Sequence, residues 1–230
     1  MNSKDYSSAP WLRSFGRIRA RLQPHHHQLL AERLSHYALP ENGDISLTEY
    51  FPQHKKFALE IGFGTGDHLL SQALANPEYA WVGAEPFLNG VAHLIAEADL
   101  AKLKNLAIWP FDVRLLLSRL PGDSIHSAFI LFPDPWPKNR HHKRRLINAD
   151  LIKMLARIFV ANGTLQIATD DHNYAEWIIA TMQEMPMFYW LNPEKSTWEK
   201  PFSHWQPTRY HEKANQAGRT PLFFTWQYRP

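Results

Sequence analysis

The chain has 230 residues, of which 44% are hydrophobic and 13% aromatic, so it can bury a sizeable core as one domain or one domain with an appendage. It has no cysteine, which excludes disulfides and thiolate zinc sites and fits a reducing cytoplasm. No apolar run approaches the ~20 residues that span a bilayer, and the first residues lack the apolar core of a signal peptide, so we expect a cytoplasmic protein without a membrane segment.

The net charge of +3 hides an uneven distribution of charge along the chain. Residues 1–33 contain six Lys/Arg and two acids, and residues 138–157 contain seven Lys/Arg and one acid. Elsewhere 12 of the 25 basic residues stand against 19 of the 22 acidic ones. Two basic segments on an acidic body indicate a polyanionic partner, nucleic acid before others, although two solvated surface helices give the same pattern.

Residues 1–55 contain no clear strand and are predicted to form a basic N-terminal extension, with the main domain at 56–230. From residue 57 short apolar runs alternate with amphipathic ones, which is typical of a doubly wound, Rossmann-like α/β sheet that is mostly parallel. The last two strands have no strong helix between them and predict an antiparallel C-terminal edge. The predicted strands are 57–64, 79–86, 105–112, 124–135, 163–171, 188–192 and 221–229, and the predicted helices are 67–76, 87–102, 113–120, 142–160 and 173–185.

Glycines and acids stand where the first strands end, which is the edge of an open α/β sheet that binds ligands. The first strand runs into Gly62, Gly64 and Gly66, whose missing Cβ atoms allow tight turns and close approach to a ligand. Glu85 follows the second strand, 19 residues after Gly66, and an acid there can accept both ribose hydroxyls. Asp112 follows the third strand, where it can meet an adenine amino group or cap the next helix.

The glycine spacing argues against a dinucleotide cofactor. A dinucleotide motif needs a third glycine three places after the second, and Asp67 stands there instead. An acid at this helix start disfavours a pyrophosphate, whereas a positively charged nucleoside such as S-adenosylmethionine suits Glu60, Asp67 and Asp134. Asp67 can also simply cap its helix, and Glu60 can instead make a structural hydrogen bond to the glycine loop.

The stretch FPDPWPKNRHHKRRL, residues 132–146, follows the fourth strand and places three prolines beside a burst of positive charge. Each proline fixes φ and restricts the residue before it, so residues 133–137 predict a rigid elbow that carries Asp134 and Trp136. Asp134 can accept hydrogen bonds from a guanine, and Trp136 can stack on a base or pack in the core. The basic side chains that follow predict phosphate contacts: Lys138, Arg140, Lys143, Arg144 and Arg145.

Three motifs together resemble the bacterial tRNA (guanine-N7)-methyltransferases. They are LEIGFGTGDHLL at residues 59–70, FPDPWPKNRHHKRRL at 132–146 and PTRYHEKANQAGRTPLFF at 207–224, and the resemblance covers roughly residues 55–225. It implies a class I methyltransferase domain at 56–230 that transfers a methyl group from S-adenosylmethionine to N7 of guanine 46 in the variable loop of tRNA. The implied partner is tRNA; no metal site is evident, and the oligomeric state stays open.

The resemblance also implies roles for particular residues. Glu60, Glu85, Asp112 and Asp134 match cofactor-binding positions, and Asp134 matches the catalytic position. Substrate-binding positions match Lys138, Asp170, Thr208, Arg209 and Tyr210. The chain departs from the family at His211, where a glutamate is usual, and Glu212 comes one place later. On a loop Glu212 can still supply that contact, whereas on a helix its side chain turns by about 100°.

Other functions remain open at this stage. A methyltransferase that acts on another RNA, another atom or a protein fits the same cofactor pocket. A nucleic-acid-binding module with an inactive cofactor fold also fits part of the pattern, but the full set of acids disfavours it. An NAD-dependent dehydrogenase fits another part, but the glycine spacing disfavours it.

Overall fold

The computed structural model describes residues 22–203, 205–206 and 208–230. Seven strands form one sheet in these residues: β1 (Lys56–Ile61), β2 (Tyr79–Ala84), β3 (Leu106–Trp109), β4 (Ile125–Leu131), β5 (Phe159–Thr169), β6 (Phe188–Trp190) and β7 (Leu222–Tyr228). The α-helices of the same residues are α1 (Pro24–Tyr37), α2 (Leu47–Tyr50), α3 (Asp67–Ala75), α4 (Leu88–Leu100), α5 (Val113–Arg119), α6 (Ala149–Ile158), α7 (His172–Gln183) and α8 (Arg209–Gln216).

The strand order is β3-β2-β1-β4-β5-β7-β6. Strands β1 to β5 pair in parallel, whereas β7 runs antiparallel to both β5 and β6. The predicted α/β sheet with an antiparallel C-terminal part is therefore confirmed. The order reverses between β1 and β4, and in doubly wound sheets this reversal opens the ligand-binding crevice.

Each face of the sheet packs into its own hydrophobic core, because side chains alternate between faces along a strand. On β1, Leu59 points into the core that α5, α6 and α7 cover, and Ala58 points into the core beneath α1, α3 and α4. Both side chains are fully buried. The two layers of helices hold the parallel strands rigid, so the loops at their carboxyl ends are set on a fixed frame.

The described part of the predicted N-terminal extension packs onto this frame. Leu30 and Leu34 of α1 are buried, and Arg33 donates to both carboxylate oxygens of Asp99 on α4, at 2.6 and 2.7 Å. Tyr37 donates a third hydrogen bond to the same carboxylate. Arg33 is thus one basic residue of segment 1–33 that serves to attach α1, and the other five lie outside the described residues. The boundary at residues 55 and 56 stays a prediction.

The prediction of one long helix at 142–160 is wrong. The basic residues form a short 3-10 helix at Asn139–Arg144, and α6 begins only at Ala149, capped by the Asn148 side chain. The predicted start of the fifth strand at residue 163 is also wrong, because β5 already begins at Phe159 and runs through the turn-forming pair Asn162-Gly163. Asn162 has φ of 65°, and the pairing of β5 with β4 shifts register here, so the turn-forming pair makes a bulge within the strand.

Candidate active site at the carboxyl edge of the sheet

The glycine loop joins β1 to α3. Gly62, Gly64 and Gly66 have φ values of 75°, 59° and 84°, in the left-handed region that side chains with a Cβ disfavour. Gly66 is the N-cap of α3, so Asp67 is the first helical residue and does not cap the helix. Gly90 of α4 lets this loop lie close, since a Cβ on Gly90 would come within 1.9 Å of the Gly64 carbonyl oxygen.

Glu85 supports the glycine loop from the end of β2. Its two carboxyl oxygens accept hydrogen bonds from the backbone N–H groups of Gly64 and Phe87, both at 2.9 Å. Burial raises the pKa of Glu85, these two hydrogen bonds oppose that effect and the nearby charges of Asp134 and Glu60 add to it, so that the pKa lies at about 7. Each oxygen has a second lone pair, so the carboxylate can still accept bonds from a ligand.

Glu60 makes a contact that the sequence analysis did not predict, and its contact with a cofactor stays a prediction. Its carboxylate lies 2.7 Å from Nδ1 of His68 on α3, and both side chains are almost fully buried. The ring of His68 lies between Phe129 and Trp205, at 5.1 and 5.4 Å between ring centres. The glycine loop is therefore held by Glu85, while the contact between Glu60 and His68 joins β1 to α3.

Two further acids of the site are held by local hydrogen bonds. Asp67 accepts a bond of 2.7 Å from the Thr65 hydroxyl at the mouth of the loop. Asp112 caps α5 by accepting from the backbone N–H of Arg114 at 2.9 Å, and it also pairs with the Arg114 guanidinium. The capping role that the sequence leaves open for Asp112 is thus observed, and its contact with an adenine stays a prediction.

The elbow after β4 presents Asp134 to solvent. Asp134 is exposed, and its charge is one of the influences that raise the pKa of the buried Glu85. Phe132 and Trp136 on either side of it have φ values of 50° and 46°. Such angles are rare for residues with large side chains, so the surrounding structure must hold the elbow in this shape.

The basic side chains after the elbow divide into two groups. Lys138, Arg140 and Lys143 are exposed, and the guanidinium of Arg144 lies 5.1 Å from the centre of the Trp136 ring. Arg145 is instead only 3% exposed, so the prediction that it contacts an RNA phosphate does not fit its position. Its guanidinium is turned inward, towards the elbow and α7.

Helix α8 covers the cleft from the other side. The Thr208 hydroxyl caps it by accepting from the backbone N–H of His211 at 3.1 Å, and Tyr210 Cε2 lies 3.2 Å from where a Gly64 Cβ would stand. The His211 ring packs against Phe132. Because this segment is helical, Glu212 leaves the axis about 100° from His211 and lies exposed, so it does not take the place of His211. Its contact with substrate stays a prediction.

Asp170 follows β5 and binds the segment after α8. Its carboxylate accepts a hydrogen bond of 2.7 Å from Nε of Arg219. The pair joins the end of a central strand to the end of α8, and both side chains remain partly accessible to solvent. Asp170 is half-buried, and Arg209 is exposed on the first turn of α8. The contacts of both residues with substrate stay predictions.

One cleft is lined by four of the predicted site residues, Glu60, Gly62, Thr208 and Tyr210, and by Asp67, whereas Glu85, Asp112 and Asp134 are not among its lining residues. Its lining residues are Glu60, Gly62, Phe63, Thr65, Asp67, His68, Leu131, Phe132, Thr208 and Tyr210. Within the described ranges no cluster of three or more histidine or acidic side chains has the arrangement of a metal site. No helix in those same ranges is both long and apolar enough to cross a membrane.

His68 was missed by the sequence analysis, which also took the buried Arg145 for an exposed residue. His68 is the second residue of α3. The available signal was a histidine in the first turn of the helix that follows the glycine loop, close in the chain to Glu60. Arg145 precedes the buried Ile147 by two residues. In an extended segment this spacing puts both side chains on one side, which marks Arg145 as an inward-facing residue.

Comparisons with known proteins agree with this geometry. A family model described as "Putative methyltransferase" matches residues 54–223. The tRNA (guanine-N(7)-)-methyltransferase of Hyphomonas neptunium is 38% identical over 220 residues, covering 95% of this chain and 100% of that protein. The enzyme of the same name from Ruegeria pomeroyi is 37% identical and covers 98% of both chains.

Solved structures share the fold at lower identity. The 16S rRNA methyltransferase KamB has a TM-score of 0.56 at 16% identity, over 83% of this chain and 96% of that one. A variant of the 16S rRNA (adenine(1408)-N(1))-methyltransferase from Catenulisporales acidiphilia, solved with cosubstrate SAM, has a TM-score of 0.54 at 16% identity, over 81% and 93%. The chain therefore has a methyltransferase fold and belongs to the family of tRNA (guanine-N(7)-)-methyltransferases.

Proposed function

We propose that this protein transfers a methyl group from S-adenosylmethionine to N7 of guanine 46 in the variable loop of tRNA. One observation carries the proposal: an acid-lined cleft with a left-handed glycine loop lies at the sheet reversal, and Phe132, which lines it, stands two residues before the exposed Asp134 of the elbow. The cleft suits a positively charged nucleoside, and the elbow with its basic flank suits a nucleic-acid base. The names of the curated relatives support the same reaction.

The residues at this edge of the sheet fit the cofactor. Glu85 has lone pairs left for two ribose hydroxyls, the bare glycine backbone allows close approach, and Asp112 stands at the next strand end for the adenine. Glu60 and Asp67 add negative charge, which favours a cationic ligand. When bound, S-adenosylmethionine supplies a methyl carbon on a positively charged sulfur.

The chain needs no strong general base for this reaction. N7 of guanine is an unprotonated acceptor, so the base attacks without first losing a proton. What the protein must supply is orientation and electrostatic stabilisation. Asp134 would accept hydrogen bonds from N1–H and N2–H₂ of the guanine, which fixes the direction of N7. Its negative charge would also stabilise the positive charge that moves onto the ring.

The remaining predicted residues surround this point. Lys138, Arg140, Lys143 and Arg144 line the segment after the elbow and would bind phosphates of the same RNA. The guanine and its neighbours would be approached from the α8 side by the other predicted substrate-binding residues, which are Asp170, Thr208, Arg209, Tyr210 and Glu212. Arg145 is left out of the phosphate-binding set because it is buried. A tRNA substrate would place the enzyme in the cytoplasm.

Methyl transfer from labelled S-adenosylmethionine to unmodified tRNA transcripts tests the proposal. The products are treated with borohydride and aniline, which cleave at N7-methylguanine. A transcript with adenine in place of guanine 46 is the matched control substrate. We expect cleavage at one guanine of the variable loop and no labelling of the control.

The other outcomes separate the alternatives. Label without cleavage at that guanine would keep the methyltransferase and reject the target atom or position. No label on tRNA, together with a rise in melting temperature on adding S-adenosylhomocysteine, would reject the tRNA substrate but keep the cofactor site.

A further inference from the structure

The elbow that carries Asp134 does not hold its own shape. Phe132 and Trp136 both lie in the left-handed region of φ, where a Cβ is disfavoured. Prolines stiffen the segment but do not select these angles, because each fixes only its own φ and limits the residue before it. Contacts from outside the elbow must therefore select its conformation.

Backbone groups of the elbow make a hydrogen bond on either side of Asp134. The N–H of Phe132 donates to the Ala168 carbonyl on β5 at 2.8 Å, which ties the start of the elbow to the sheet. On the far side, the Pro135 carbonyl accepts from Nε of Arg145 at 2.9 Å. The first bond extends the sheet, whereas the second depends on one side chain.

Arg145 is itself fixed from several directions. Its Nη2 donates to the Asn173 side chain at 2.5 Å, and its guanidinium carbon lies 4.9 Å from the centre of the Tyr174 ring and 5.1 Å from that of Trp177. The same two aromatic residues bind the backbone of Ile147, at 3.1 and 2.8 Å. A rigid path thus runs from α7 through the guanidinium to the residue after Asp134.

We propose that Arg145 is a positioning residue that sets the orientation of Asp134 through the Pro135 carbonyl. It acts from beneath the elbow and makes no contact with RNA. The inference rests on the proposed function, in which Asp134 orients the guanine. Only a planar guanidinium can donate to Pro135 and Asn173 at once while stacking on two rings, so a lysine keeps the charge and loses the geometry.

The test compares Arg145→Lys with Arg229→Lys. Arg229 also lies over an aromatic ring, that of Tyr189 at 3.9 Å, and hydrogen-bonds Gln227, but it is exposed at the opposite edge of the sheet. We expect Arg145→Lys to lower kcat for tRNA at least tenfold while KM for tRNA changes less than twofold. Arg229→Lys should change neither. A raised KM with normal kcat would show a phosphate contact and overturn the proposal, as would unchanged kinetics.

Hydrogen exchange of the elbow peptide in the protein alone gives a second readout that needs no methyl transfer. Arg145→Lys should speed exchange of residues 132–138 and leave the glycine-loop peptide unchanged. Unchanged exchange in the elbow would reject the positioning role, whatever the fate of the proposed function. Asn173→Ala replaces Arg145→Lys if the latter fails to fold, since Asn173→Ala removes one hydrogen bond to the guanidinium and leaves both rings. Asn173→Ala should lower kcat severalfold and speed hydrogen exchange in residues 132–138.

Discussion

The two ligand-facing turns of this site are held by different means. The turn after β2 places Glu85 in the core, where two backbone N–H groups hold its carboxylate and brace the glycine loop. The elbow after β4 leaves Asp134 exposed, and the Arg145 side chain donates a hydrogen bond to its Pro135 carbonyl, the contact that we propose sets its shape. The proposed cofactor half is therefore held through backbone N–H groups that bind a carboxylate, and the proposed substrate half through the side chain of one arginine.

The sharpest way to break the comparison is Asp134→Ala. Removing the carboxylate takes away both the orientation of the base and the stabilising charge, so we expect kcat to fall about 10²–10³-fold. Binding of S-adenosylhomocysteine, measured by thermal shift, should remain. Asp134→Glu keeps the charge on a longer arm and should retain more activity. Full activity in Asp134→Ala would remove this residue from the mechanism.

The cofactor half should break instead at Gly90→Ala. The new Cβ would stand 1.9 Å from the Gly64 carbonyl oxygen, which forces the glycine loop away from α4. We expect a loss of about 3 kcal/mol in the free energy of unfolding, with weaker cofactor binding. Gly122→Ala is the control, since its Cβ would come no closer than 3.3 Å to the Arg157 carbonyl. Chemical denaturation of both variants decides whether the close approach matters.

The pKa of Glu85 gives a milder test of the buried half. The carboxylate form accepts ribose hydroxyls, so protonation below the pKa of about 7 should weaken cofactor binding. We expect the affinity for S-adenosylhomocysteine to fall about tenfold between pH 8 and pH 6, as the ionised fraction falls. Titration calorimetry at both pH values measures this. Glu85→Gln should bind weakly with little dependence on pH, and an equally steep dependence in that variant would assign it to another group.

The smallest effect is expected from the exposed cations beyond the elbow. Lys143→Ala should raise KM for tRNA severalfold without lowering kcat, because the residue would bind phosphate and orient nothing. The logarithmic salt dependence of tRNA binding should lose about one unit of slope. Lys195→Ala, an exposed change outside the basic segment, is the control. Equal salt slopes in wild type and Lys143→Ala would place this phosphate contact elsewhere.

Much of the fold follows from local patterns in the sequence. The order of strands and helices, the parallel sheet and the antiparallel strands after α7 are confirmed. The glycine spacing also pointed to the edge of the sheet where the cleft lies, because the left-handed turns of that loop favour glycine. Features of this kind depend on residues that are close in the sequence, so they can be predicted without knowing which distant residues are in contact.

The errors come from distant contacts. An uninterrupted helix at 142–160 would send Arg145 and Ile147 to different sides, but both are drawn inward by Tyr174 and Trp177. Asn162-Gly163 has the composition of a turn, yet pairing with β4 turns it into a bulge. The partnership of Glu60 with His68 likewise depends on how α3 packs over β1, which no local pattern specifies.

The position of β7 has a consequence for how the protein folds. This strand lies between β5 and β6, although it follows both of them in the chain. During synthesis β1 to β5 can pair as they emerge, but β6 has no neighbour in the sheet until β7 is inserted. Pairings of this kind close late and leave strand edges exposed in the meantime. The part of the sheet that carries the glycine loop and the elbow can therefore form before α8 covers the cleft.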